Sequence, residues 1–322
     1  MVTPAAEAQG RTGRTEQTGR TDQRDVQYHY HRGLFPAMHD WERTERSIVE
    51  FTGENGPKGL LGLDQMGHFG PQGCDLVAAA VRDALPHATT HATTCAATRA
   101  AIDLCELGSG FGGALRYLTD ALASGGVAVR TVYGVDLVPE HCEVSRRISA
   151  AQHRTNLTEI CADAAHVPLP DASLDVVAVT GSMPHFPRPG AVLREAARLL
   201  RPGGTLVITE EVSLAPAGRR PSAAFHEVHP PDVFFTTPLP DRLRQLDEAD
   251  FTDVSTRDLR DWAVALLRDR LKVVRVFRGS VAGIYGDKPV DLIERTLTTA
   301  REEYLAGRLL PMLVTARRAG PA

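Results

Sequence analysis

The string ELGSGFGG at positions 106–113 constrains the fold of this chain more than any other segment. It follows a short apolar run, AIDLCEL (101–107), and opens an amphipathic one, GGALRYLTDALA (112–123). Strand, glycine turn and helix in that order make the first half of a βαβ unit. Glycines reach backbone conformations closed to other residues and let N–H groups approach a ligand closely. The alternation then continues. RTVYGVDL (130–137) reads as a strand, PEHCEVSRRISAAQ (139–152) as a helix, and LTEICAD (157–163) and LDVVAVTG (174–181) as strands. PGAVLREAARLL (189–200) is a helix, RPGG (201–204) a turn and TLVITEE (205–211) a strand. Strands alternating with helices imply right-handed crossovers and a parallel sheet. The expected class is therefore α/β and Rossmann-like, with helices on both faces of a mostly parallel sheet.

The flanks differ in composition. Residues 1–27, with GRTGRTEQTGRTDQR, hold almost nothing to bury and read as a disordered tail. Residues 28–98 read as a helical N-terminal cap and linker, with CDLVAAAVRDAL (74–85) a clear amphipathic helix. Residues 99–322 form the main domain. Within it, about 213–245 is proline-rich and irregular and reads as an inserted lid. A helix (241–249), a strand (251–258), helices over 262–278 and 290–305, and the apolar run LLPMLVTAR (309–317) follow. A chain of 322 residues can bury one large core of this kind. A net charge of −4 leaves no electrostatic footprint for nucleic acid or an anionic membrane, and no apolar run has the ~18 residues of a span. The five cysteines lack CxxC spacing and read as reduced thiols of a cytoplasmic protein.

The glycine loop satisfies G-x-G-x-x-G, so a dinucleotide site must be considered. Glu106 argues against it. A carboxylate two residues before the first glycine repels pyrophosphate but can orient a positively charged group. Asp136, at the tip of the second strand, suits a carboxylate accepting hydrogen bonds from both ribose hydroxyls, which fits either ligand.

The segment from CADAAHVPLPDASLDVV to LLRPGGTLVITEE resembles the class I S-adenosylmethionine-dependent methyltransferase family, over about residues 100–212. The resemblance implies a seven-stranded sheet ending in an antiparallel strand, for which LLPMLVTAR is the candidate. It implies S-adenosyl-L-methionine as cofactor and S-adenosyl-L-homocysteine as product. The cofactor residues it implies are Glu106, Gly108, Ser109, Gly110, Gly112, Asp136, Leu137, Asp163, Ala164 and Ser182. Gly108 and Gly110 would face the methionine end, Asp136 the ribose, and Asp163 with Ala164 the adenine. The acceptor is expected to be a small molecule, a hydroxyl of a specialised metabolite. His185, in the S-x-x-H-x-P segment SMPHFPRP, is the candidate general base, and Glu210 at the end of the fifth strand its carboxylate partner. His226 and His229 of FHEVH are candidate acceptor-lining residues, and no metal site is expected because helical HExxH spacing is missing.

GLDQMGHFG (62–70) is similar to a D-Q-x-H-x-G-G segment of sarcosine and tocopherol methyltransferases, though the extra Gly67 splits it. RDRLKVVRVFRG (268–279) carries five basic residues, read either as a solvated face or as a site for an anionic acceptor such as a prenyl diphosphate. The latter would make the enzyme a C-methyltransferase. A non-catalytic adenosylmethionine-binding protein is the alternative of another class. No nucleic-acid or membrane partner is expected, and a homodimer is compatible with this reading.

Overall fold

In the computed structural model, residues 22–53, 62–85, 101–214 and 220–320 are described. Positions 1–21 of the expected tail, the 86–99 linker and positions 215–219 of the expected lid lie outside them.

The strands are β1 (Ile102–Leu107), β2 (Val129–Asp136), β3 (Leu157–Cys161), β4 (Leu174–Thr180), β5 (Leu200–Ser213), β6 (Phe251–Asp258) and β7 (Leu309–Arg318). They form one sheet in the order β3-β2-β1-β4-β5-β7-β6. β1 to β5 run parallel, and β7 lies antiparallel between β5 and β6. LLPMLVTAR thus forms the antiparallel strand that the resemblance implies. RPGG differs from expectation. Leu174 already pairs with Leu200, and Val176 with Thr205, so Arg201–Gly204 bulge out of β5 instead of preceding it.

Helices α1 (Gln23–Leu34), α2 (Pro36–His39), α3 (Trp41–Thr52) and α4 (Gly70–Ala84) precede the sheet. α1 starts earlier than composition suggests. The Asp22 carboxylate accepts from the Arg24 N–H at 3.0 Å, and residues 23–27, expected in the tail, are helical behind this cap. Gln27 is buried, and its amide donates to Val233 O at 3.3 Å. α5 (Gly113–Ser124), α6 (Pro139–Ala151) and α7 (Pro189–Leu199) are the crossover helices. In the expected lid lie α8 (Ala223–Val228) and α9 (Leu239–Asp247), while α10 (Arg260–Val276), α11 (Arg278–Tyr285) and α12 (Asp287–Leu305) join β6 to β7. FHEVH, expected to be irregular, is mostly helical because the Ser222 hydroxyl accepts from the Phe225 N–H at 3.2 Å.

Both sheet faces are covered. Leu107, Val179, Ile208 and Met312 pack with α7 and α9, and Leu104, Val132, Val207 and Leu313 with α4 and α5. A third cluster joins Phe69, Phe225 and Phe234 to α10 and α12, and a fourth seats Met38, Trp41 and Ile48 on Phe111 and α6. These two clusters hold the N-terminal cap and the insertions over the carboxyl ends of the strands. Among the described residues no helix is long and apolar enough to cross a membrane.

Candidate active site

A cavity of about 1050 Å³ opens at the carboxyl ends of β1, β2, β4 and β5, where open α/β sheets place their ligands. Its roof is α1, residues 62–70, the insertion at His229 and Phe234, and helices α10 to α12.

The glycine loop forms the floor. Gly108 and Gly110 adopt φ of +75° and +54°. A Cβ on Gly110 would lie 2.3 Å from Met66 Sδ, and one on Gly108 2.5 Å from Ser182 Cβ. Only glycine meets both the conformation and the packing here. Beside the loop, Asp136 Oδ2 accepts from the Gly110 N–H at 2.8 Å, and Oδ1 from the Val138 N–H at 3.0 Å, with His141 Nδ1 also at 3.0 Å. Burial alone would raise its pKa, but His141 and the two backbone donors carry it below the usual carboxylate range. Asp136 is an ionised, oriented acceptor with lone pairs to spare. Leu137, Asp163, Ala164 and Ser182 also line the cavity. Asp163 Oδ1 accepts from the Ala165 N–H at 2.9 Å, and Oδ2 lies 3.3 Å from Arg188. The Ser182 hydroxyl donates to Leu107 O at 2.6 Å, tying β4 to β1.

Three expected cofactor residues lie beneath the loop and not in the cavity wall. Ser109 donates to Glu159 at 3.4 Å, and Gly112 caps α5 at φ +73°. Glu106 is buried between its neighbours on β2 and β4. Burial first, then the charge of Glu159, pushes its carboxyl up to about 8, with Thr180 and Arg116 opposing. Burial therefore favours the neutral form of Glu106.

That assignment has a pH signature. Between about 4.5 and about 8 the unfolded chain has released this proton and the folded chain retains it. The group's contribution to stability is full below that window and falls as pH rises through it. Glu106→Gln is expected to flatten this component. Urea midpoints of the wild type should fall relative to the variant's from about pH 5 to about pH 8. Parallel pH profiles would contradict a neutral Glu106.

His185 sits in the 3₁₀ turn Met183–His185 just past β4 and lines the cavity. Its Nδ1–H donates to Val233 O at 3.1 Å, which leaves Nε2 as the acceptor. Burial, reinforced by His68, holds its pKa down to about 4, so the ring is neutral at neutral pH. Glu210 does not join it. Strand alternation turns Glu210 to the other face of the sheet, where it is buried against Arg242, with Nε 2.9 Å from Oε1 and Nη2 2.9 Å from Oε2. The next residue, Glu211, faces the cavity. It accepts from the Tyr304 hydroxyl at 2.7 Å and lies 3.1 Å from His68 Nδ1. Burial opposes its ionisation, but His68 and the Tyr304 hydroxyl carry its pKa below the ordinary value. His229 lines the cavity, with Nε2 3.3 Å from His68 Nε2. His226 does not line it; its Nδ1 lies 3.4 Å from His229 O, and Glu227 turns outward to Arg295 at 2.7 Å.

Sequence reasoning missed Glu211, Tyr304 and the buried Arg116–Asp64 pair at 3.0 Å. That pair fixes the segment carrying Met66 and His68 to α5. The similarity of GLDQMGHFG to a family segment was a signal for its importance, but nothing in it named Arg116 as the anchor.

Residues 105–208 match the family described as methyltransferase domain. The matched stretch is about a third of the chain. It contains the glycine loop, Asp136, Asp163 and His185. Over 112 residues the chain is 33% identical to 27-O-demethylrifamycin SV methyltransferase of Amycolatopsis mediterranei, an alignment that takes in 32% of this chain and 41% of that protein. The chain thus spans well under half of this curated relative. Among solved structures, phosphoethanolamine N-methyltransferase 2 of Haemonchus contortus, in complex with phosphomonomethylethanolamine and S-adenosylhomocysteine, superposes with a TM-score of 0.63 at 15% identity, over 76% of this chain and 53% of its own. Geranyl diphosphate C-methyltransferase of Streptomyces coelicolor A3(2), in complex with Mg²⁺, geranyl-S-thiolodiphosphate and S-adenosyl-L-homocysteine, gives 0.57 at 16% identity, over 76% of each chain. At such identities the likeness is one of fold. The chain shares the Rossmann-like architecture of these structures.

Proposed function

We propose that the protein transfers a methyl group from S-adenosyl-L-methionine to a hydroxyl of a small molecule bound in the same cavity. The observation that carries this reading is the joining, in one cavity, of the glycine loop and Asp136 to His185. The residues present fit the cofactor. Gly108 and Gly110 line the cavity where its methionine end would lie, ionised Asp136 suits the ribose hydroxyls, and Asp163 with Ala164 the adenine edge. When bound, the cofactor supplies a methyl already activated by its sulfonium, so the protein's main work is alignment, worth on the order of 7–11 kcal/mol in well-oriented systems.

Each side chain has a definite part. His185, fixed by Val233 O, presents a lone pair on Nε2 to take the hydroxyl proton. With a pKa of about 4 it is a weak base, and it works by position. The negative charge of Glu211 favours a proton on His185. The insertion excludes water: Tyr30 OH donates to Val228 O at 3.2 Å, tying α1 to α8 above the cavity.

His185→Ala is expected to lower turnover about 10²-fold while changing S-adenosylhomocysteine affinity less than about threefold. Labelled methyl transfer to a panel of hydroxylated metabolites, beside calorimetry, checks both. In the wild type, transfer should stay flat toward acid and fall only as pH drops through about 4, where His185 takes up a proton. Unchanged turnover in a folded variant removes His185 as the base. Binding without any transfer would favour a non-catalytic adenosylmethionine-binding protein.

A further inference from the structure

Of the five basic residues in RDRLKVVRVFRG, four face outward. Arg268 and Lys272 pair with Asp269, Arg275 with Glu294, and Arg278 with Asp291. Arg270 turns inward and lines the cavity. Its Nη1 reaches the main-chain carbonyls of Gly67, at 3.2 Å, and of His68. Among the described residues no carboxylate pairs with it. The contrast with the two fully buried arginines is direct, since Arg116 pairs with Asp64 and Arg242 with Glu210. Arg270 is half-buried and faces the cavity without a counter-charge, so a ligand anion there would offset the cost of its partial desolvation.

The wall around Arg270 is apolar. Val274, Val281, Ile293 and Leu297 lie on the same side of the cavity, with the Tyr285 ring. We propose that Arg270 is a carboxylate-receiving subsite, and that the methyl acceptor is an apolar molecule carrying a carboxylate. The planar fork of a guanidinium matches two carboxylate oxygens. One monoanion suits the charge of the wall better than a diphosphate. The wall's other arginine, Arg188, is held by Asp163, while Asp136, Glu211 and Asp22 add negative charge. Among the described residues the prenyl diphosphate alternative therefore lacks the cations it needs. This assignment rests on the cavity being the methyl-transfer site, and the cofactor's own methionine carboxylate is the second source of the same chemistry.

Calorimetry on the full chain separates the sources. S-adenosylhomocysteine and methylthioadenosine, which lacks the methionine carboxylate, are titrated into wild type, Arg270→Gln and Arg270→Lys. 2-Naphthoate and its neutral isostere 2-naphthamide are then titrated into the S-adenosylhomocysteine-loaded proteins. S-adenosylhomocysteine binding by the wild type tests the underlying reading by itself. The subsite predicts that wild type prefers naphthoate to naphthamide. It also predicts that Arg270→Gln loses naphthoate affinity tenfold or more, that Arg270→Lys recovers part of it, and that the nucleosides are unaffected. A loss confined to S-adenosylhomocysteine, with methylthioadenosine unchanged, supports the carboxylate subsite with the cofactor as its source and overturns the acceptor assignment. No preference for naphthoate in the wild type, together with nucleoside binding that Arg270→Gln leaves unchanged, overturns the subsite. Thermal melting of both variants confirms that they are folded.

Discussion

Replacing Arg242 with alanine is expected to destabilise the protein by about 3–5 kcal/mol, among the largest effects of any single substitution. Glu210 and Arg242 are each about 1% exposed, and the pair holds α9 against β5 through three short contacts. Removing the cation leaves a buried carboxylate whose other electrostatic neighbour, Glu211, has the same sign of charge. Replacing both residues with methionine should cost far less, because the desolvation penalty leaves together with the attraction. Urea unfolding at neutral pH checks both. An alanine variant within about 1 kcal/mol of the wild type would mean that water reaches Glu210 or that the pair is not formed.

Asp136→Ala carries the second large effect, this time on binding. A carboxylate that accepts from two ribose hydroxyls contributes about 1.5–3 kcal/mol per hydrogen bond, and each 1.4 kcal/mol is tenfold. Loss of S-adenosylhomocysteine affinity of at least about 100-fold follows. Asp136→Asn keeps the shape and an oxygen that can still face the Gly110 N–H, so its loss should be smaller. Equal affinity in the alanine variant would place the ribose elsewhere.

Much of the fold is legible in the amino-acid sequence itself. Buried strands read as continuous apolar runs, and glycine turns punctuate them, so β1, β2 and β4 fall within a residue or so of their expected limits, and the exposed edge strand β6 does as well. The tip of β2 had to present Asp136 wherever the strand ended. The errors share a physical cause. β5 is buried on both faces, so alternation in ITEEV does not say which face holds ligand, and Glu210 and Glu211 exchange roles with a one-residue change in parity. Glu106 on β1 suffers the same ambiguity, and its burial disfavours the charge on which its expected role depends. Arg270 was hidden differently. Five basic residues along one helical stretch resemble a solvated face, and only the packing of α10 on residues 67–70 shows that one of them turns inward. The histidines of FHEVH separate because a short helix turns His229 inward and leaves His226 outside the cavity wall.

The central claim is that the first glycine turn and the tip of β2 together form a nucleoside pocket for the methyl donor. Calorimetric titration of the purified full chain with S-adenosylhomocysteine, with NAD⁺ as a control, tests it most directly. Saturable one-to-one binding of S-adenosylhomocysteine, weakened by Asp136→Ala, with no heat from NAD⁺, is the predicted result. Absence of S-adenosylhomocysteine binding in a folded protein that takes up NAD⁺ would contradict it.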